Sequence, residues 1–226
     1  HLVVLSAGTL IIALGLDSEA ATSAALYYAL NSTLVGGGLF LLADLIVRQR
    51  GQSRDILARS QAVANPALLG SLFFVGAIGV VGLPPLAGFA AKIYILQSAF
   101  SHQAAVWVFV VILGSGLLVI LALSRAGSAL FWRSRESSES VLPTNQLQLT
   151  ATALLLAGPI VLMLGAGTVT AFTQATAAQL ADRAAYVGAV MANQAVVESP
   201  AGKGGADDQA RHMAAASAAQ HSVAGD

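Results

Sequence analysis

The stretch Val80-Val-Gly-Leu-Pro-Pro-Leu-Ala-Gly-Phe-Ala-Ala-Lys92-Ile-Tyr-Ile-Leu96 decides the fold. It lies within an apolar run of 34 residues, Ala67 to Phe100. One straight helix of that length would measure about 51 Å, against a bilayer hydrocarbon core of about 30 Å. Such a helix must tilt steeply, break, or pass twice. Pro84 and Pro85 favour a break, because each lacks an N–H and clashes with the preceding turn. Gly79, Gly82 and Gly88 soften the same region. Lys92 is the only Lys, Arg, Asp or Glu between Arg59 and Arg125. An ammonium at membrane depth is costly even on lenient scales, so it normally faces a polar cavity and marks an ion or proton path. A helix interrupted beside that charge exposes backbone polar groups to a mid-membrane site.

The rest of the chain agrees with a membrane setting. Of 226 residues, 56% are hydrophobic and 10% charged, where soluble domains carry about 25% charged residues. Mean hydropathy is +0.74. Formal net charge is zero, which gives no electrostatic reason to expect nucleic acid or acidic substrates. There is no Cys, which removes disulfides, thiolate catalysis and thiolate-ligated metal or iron–sulfur sites. The chain starts at His1 inside an apolar run, without Met or a basic leader. This reads as an N-terminally truncated fragment rather than a signal peptide.

Apolar runs predict an all-α, polytopic membrane bundle of about five crossings. They cover 2–16, 24–47, 67–100 (broken near Pro84-Pro85), 104–126 and 147–169. These make up a membrane domain over 1–173. Residues 174–193 alternate Ala with polar residues and predict an interfacial helix; 194–226, rich in Gly, Ala and Ser, predict a disordered tail. The segments 48–65 and 134–146 with their flanks hold Arg48, Arg50, Arg54, Arg59, Arg133 and Arg135, whereas 17–23 and 101–103 hold no Arg or Lys. Arg-rich short loops stay cytoplasmic.

Other polar residues have plainer readings beside functional ones. Asn31, Ser32 and Thr33 lie about a third of the way along their span and either line water or join helices by hydrogen bonds. Asp44 precedes Arg48 by four residues, the spacing of an ion pair on one helix face; a proton-entry carboxylate is the alternative. Arg125, with Trp132 and Arg133, reads as an interfacial anchor or as the end of a proton path. Gly36-Gly37-Gly38 allows close helix packing. Pro159 predicts a kink near Gly158. His1, His102, His212 and His221 have no metal-ligand spacing, so no metal site is expected. No phosphate loop, nucleophile elbow or triad is present, and no cofactor or enzymatic activity is expected.

Gly82-Leu-Pro-Pro-Leu-Ala-Gly-Phe-Ala-Ala-Lys92 resembles the broken helix of the proton-translocating antiporter superfamily. That superfamily includes the large membrane subunits of respiratory complex I and of Mrp-type Na+/H+ antiporters. Leu5-Ser-Ala-Gly-Thr-Leu10, Tyr27-Tyr-Ala-Leu-Asn-Ser-Thr-Leu-Val35, Leu39-Phe-Leu-Leu-Ala-Asp44 and Leu123-Ser-Arg-Ala-Gly-Ser-Ala-Leu-Phe-Trp-Arg133 are similar to the Mrp antiporter branch, within its D-type membrane subunits, as is Ala175 to Tyr186.

The resemblance implies that Lys92 occupies a position where the family places Lys or Glu. It also implies that the five crossings match the last five of fourteen helices. The remaining nine would hold the other half of an inverted repeat, and this segment alone would not be a competent antiporter. Implied partners are the other subunits of a multisubunit antiporter complex, the lipid bilayer, H+ and Na+, with K+ or Li+ as alternatives. The implied location is the bacterial inner (plasma) membrane. Relatives commonly carry His at the position of Asn31; Asn does not titrate, so any relay there must run through water. A proton-pumping subunit of a complex I-like or hydrogenase-type redox complex is the alternative, because the Lys92 chemistry would be the same.

Overall fold

Two structural consequences follow from the glycines and prolines of the opening stretch: where the helix ends, and how closely its neighbours pack. In the computed structural model, residues 2–49, 65–132, 146–182, 187, 188, 190 and 191 are described. Among them every regular element is helical. They are α1 (Leu2–Gly15), α2 (Glu19–Gln49), α3 (Pro66–Val81), α4 (Ala87–Ala99), α5 (Ala105–Gly127) with a π-helical extension (Ser128–Trp132), α6 (Gln146–Leu164) and α7 (Ala166–Ala181). The arginine-rich segments 50–64 and 133–145, and the expected tail 194–226, lie outside the described residues.

The long run does break where the prolines stand. Gly82, at φ 75, ends α3, and its N–H donates to the Ile78 carbonyl at 2.9 Å. Only glycine adopts that left-handed conformation freely. The Leu83 N–H bonds the same carbonyl at 3.2 Å. The chain then turns through Pro84 and Pro85, and α4 starts at Ala87. Among the described residues three helices are long and apolar enough to cross a bilayer: Glu19–Arg48, Ala105–Phe131 and Gln146–Leu164. Leu2–Gly15 and Pro66–Val81 are shorter apolar helices. Together with α4 they form the membrane helical bundle with one discontinuous helix that the apolar runs predict.

α2 is the hub, packing against α1, α3, α4 and α6. Small residues set its distances. A Cβ on Gly38 would lie 2.7 Å from Leu156, one on Gly76 2.5 Å from Leu39, and one on Gly79 2.9 Å from Val35. The pairs Gly76–Leu39 and Gly79–Val35 run in opposite senses along α3 and α2, so the two helices are antiparallel. Core residues around α2, among them Tyr27, Leu42, Leu45, Ile95 and Leu156, are fully or almost fully buried. Meanwhile Val4, Ile11, Val106, Trp107, Leu118 and Leu154 face outward, as apolar residues do when the solvent is lipid.

Observed boundaries differ from the expected ones in two places. α2 begins at Glu19 rather than 24, because the Ser18 hydroxyl accepts from the Ala21 N–H and caps the helix five residues earlier. The last helix is interrupted at Gly165, and α7 then runs on to Ala181, across the expected division at 173/174. Gly165 N–H still bonds Val161, and Val169 N–H bonds Gly165, so the interruption is one residue wide. Pro159 lies inside α6 without ending it.

Candidate functional site

α3 ends with carbonyl groups that have no turn to follow them. The last four carbonyls of any helix lack intrahelical donors and carry partial negative charge. Here the chain returns through the break, and α4 brings Lys92 back against that end. The Lys92 ammonium donates to the Val81 carbonyl at 2.6 Å and to Val80 at 3.4 Å. The side chain thus points into the break, not toward Phe100 and the end of its own helix. The ammonium and the α3 terminus satisfy each other: a cation at a helix C-terminus is favourable, and the orphan oxygens gain a charged donor.

Glycines make this approach feasible. A Cβ on Gly82 would lie 2.9 Å from both the Gly88 carbonyl oxygen and Lys92 Cδ. A Cβ on Gly88 would collide with the Gly79 carbonyl, and would lie 3.1 Å from Asn31 Nδ2 and 3.4 Å from Gly82 Cα. Gly82 and Gly88 are therefore free of side chains where Lys92 and Asn31 approach the break.

Asn31 is 2% exposed, and among the described residues its Oδ1 has no hydrogen-bond partner. A buried carbonyl oxygen without a donor costs about 1–3 kcal/mol, so its position calls for an explanation. Asn31, Ser32 and Thr33 line a cavity of about 540 Å³ between α1, α2 and the end of α3, which also touches Ser6, Gly79 and Val80. Ser32 and Thr33 donate to the Ala29 carbonyl at 3.1 and 2.8 Å, leaving their oxygen lone pairs as acceptors. Thus four of the predicted residues, Lys92, Asn31, Gly82 and Gly88, meet at one point. Pro84 and Pro85 lie in the turn beside it and are exposed.

Asp44 and Arg125 are elsewhere. Asp44 is thirteen residues along α2 from Asn31, about 20 Å. Its carboxylate accepts from Arg48 Nε at 2.8 Å, as the spacing predicts, and also from Gln148 Nε2 on α6 at 2.5 Å. Arg125 is exposed in the last turn of α5. Among the described residues no group of three or more His, Cys, Asp or Glu could hold a metal.

Several polar contacts had no place in the sequence reading. The buried Tyr27 hydroxyl donates to Leu162 at 3.2 Å, and Ser23 shares a buried hydrogen bond of 3.0 Å with Thr173. The Tyr27 ring packs edge-on against Tyr94, at 5.7 Å between centroids. The signal was available: Ser23, Tyr27 and Asn31 recur every four residues on one face of α2.

An apolar bundle around a broken helix defines a polytopic membrane protein. Residues 4–120 match the family described as NADH:quinone oxidoreductase/Mrp antiporter, transmembrane, and the chain belongs to that family. It is 34% identical over 206 residues to the D subunit of a probable K+/H+ antiporter of Rhizobium meliloti, covering 79% of this chain and 38% of that protein. It is 28% identical over 195 residues to the D subunit of the Na+/H+ antiporter of Bacillus subtilis, covering 84% and 38%. The N subunit of a NADH-quinone oxidoreductase of Desulforudis audaxviator is 32% identical over 106 residues, covering 47% and 21%. The chain spans about two fifths of the length of the two antiporter relatives.

Proposed function

We propose that this chain is part of a membrane subunit of a multisubunit monovalent cation/proton antiporter in a bacterial inner membrane. Protons pass through Lys92, and their movement is coupled to export of Na+, with K+ the alternative named by one relative. The observation that carries the reading is the Lys92 ammonium on the Val80 and Val81 carbonyls at the interrupted helix. As an ammonium, Lys92 has three donors and holds the α3 terminus. When it gives its proton to a water, producing hydronium and a neutral amine, the charge attraction to those oxygens is lost. Protonation and the seating of the α3 end are thereby linked. Asn31, Ser32 and Thr33 line the neighbouring water path; Asn31 hydrogen-bonds but does not itself carry the proton.

Inverted membrane vesicles holding the assembled complex provide the test. Lys92→Ala should abolish cation-dependent collapse of a pH gradient while leaving assembly intact. Wild-type exchange in that variant overturns the proposal. Parallel additions of Na+, K+ and Li+ identify the cation.

The similarity to the N subunit of a NADH-quinone oxidoreductase supports a second reading, proton translocation that electron transfer in partner subunits powers. Proton movement that starts on NADH addition, without any cation requirement, would favour it.

A further inference from the structure

The buried apolar side chains of the bundle gather in two separate clusters. The first joins Tyr27 and Tyr28 on α2 with Ala91 and Ile95 on α4 and Ile112 on α5, and Leu162 packs against it. The second joins Leu42 and Leu45 on α2 with Leu69 on α3, and Leu39, Phe131 and Leu149 pack against it. The two share no residue. On α2 the step from Tyr28 to Leu39 is about 16 Å. α3 contributes to the second cluster and not the first, and α4 to the first and not the second. The bonds from Lys92 to the Val80 and Val81 carbonyls therefore tie an element of one layer to an element of the other.

Each route from one cluster to the other is weakened on the way. The α3–α4 route is broken outright. α2 carries Gly36-Gly37-Gly38, and Ser32 and Thr33 both donate back to the Ala29 carbonyl, a pattern that bends helices. α5 carries Gly114-Ser115-Gly116, with the Ser115 hydroxyl on the Ile112 carbonyl at 3.0 Å; Gly and Ser together are a common cause of kinks. α6 holds Pro159 in its interior, which deprives the Leu155 carbonyl of its helical donor. These points lie at one level. Gly38 meets Leu156, Gly158 meets Leu34, Gly79 meets Val35, and Gly116 faces Lys92.

Close packing explains Gly38, whose Cβ would collide with Leu156, but not Gly36 or Gly114, where a Cβ would meet nothing within 4 Å. Gly36 opens onto the cavity of about 540 Å³, and Gly114 faces outward. Glycine at such a place makes the straight helix several-fold less favourable than Ala would. We propose that the bundle is two rigid layers joined by a flexible belt, and that α2 and α5 bend in the belt and carry the Val80–Val81 end of α3 away from Lys92. Densely packed cores move as blocks, and hinges form where packing and helical bonding are thinnest. The ammonium on its two carbonyls is the clasp between the layers. The link between bending and exchange rests on the reading of Lys92 as the proton site; the bending itself does not.

The chain has no Cys, so introduced pairs can carry nitroxide labels in the assembled complex. Trp107 and Phe74 face outward from the first and second layers, and Phe172 faces outward beside the first. Pulsed electron resonance should give a broad or divided distance for Trp107→Cys with Phe74→Cys, and a narrow one for Trp107→Cys with Phe172→Cys. Gly36→Ala with Gly114→Ala should narrow the first distance, and Lys92→Ala, which opens the clasp, should broaden it. A cross-layer distance as narrow as the within-layer one, or one that the two alanines leave unchanged, overturns the inference.

Exchange in vesicles is the second readout. Gly36→Ala and Gly114→Ala should each slow it about fivefold, since Ala favours the straight helix by about that factor, while the unfolding midpoint in detergent holds or rises. A lower midpoint would mean that the two glycines make room for packing, and overturns the inference, as does a narrowed distance with exchange unchanged. Lys92→Ala separates the failures. If it exchanges at the wild-type rate, the lysine reading is wrong, and the bending stands or falls on the distances alone.

Discussion

Asn31 combines deep burial with an oxygen that no group among the described residues meets. A position kept for structure alone would be better served by an apolar residue of the same size, because that change removes an unsatisfied acceptor. Asn31→Leu should therefore leave the thermal midpoint in detergent unchanged or higher, while exchange falls several-fold. A lower midpoint with unchanged exchange would mean that Asn31 serves the packing. Gly88 gives the opposite expectation. A methyl there meets the Gly79 carbonyl, which is backbone and cannot swing away. Gly88→Ala should cost about 1–3 kcal/mol by overpacking and move Lys92 off its acceptors. The midpoint and the exchange rate should fall together.

Helix ends supply part of the polar contact between elements. Tyr27 bonds the Leu162 carbonyl just before the interruption at Gly165, where a continuing helix would have supplied the donor. Tyr27→Phe keeps the ring contact with Tyr94 and loses that bond. The expected destabilisation is about 0.6–1.7 kcal/mol, the range of interhelical hydrogen bonds in membranes, read as a lower unfolding midpoint. Asp44 ties α2 to α6 through Gln148, but its ion pair with Arg48 is exposed. Arg48→Ala should leave the unfolding midpoint close to that of the unaltered chain, because exposed pairs contribute little, and a clear fall would mark the pair as structural. The break near Pro84-Pro85 was legible because proline and glycine act locally. The α6–α7 boundary was not, because Pro159, which predicts a kink, lies within α6 and Gly165 interrupts only a single residue. The Asp44–Arg48 pair was legible from spacing; Gln148, 104 residues away, carries no such mark.

Across the whole molecule, α2 is the surface on which the other helices assemble. Leu156 fills the space that Gly38 and Gly76 leave between α2, α3 and α6. Leu156→Ala should open a cavity there and cost about 2–5 kcal/mol, enough to lower the recovery of folded chain from detergent. The class of fold could be read from apolar runs alone, since lipid leaves so few alternatives. The chemistry at the break could be read only in part. Lys92 is a residue with a name, whereas the oxygens that receive it belong to the main chain of Val80 and Val81. Any other side chain at those two positions would offer the same oxygens. A saturation mutational scan of the entire chain will therefore find the cation and the glycines around it, yet pass over the atoms they serve. Seeing those atoms requires altering the polymer itself, by an amide-to-ester exchange at residue 82 or an isotope-edited infrared band from a labelled Val81 carbonyl.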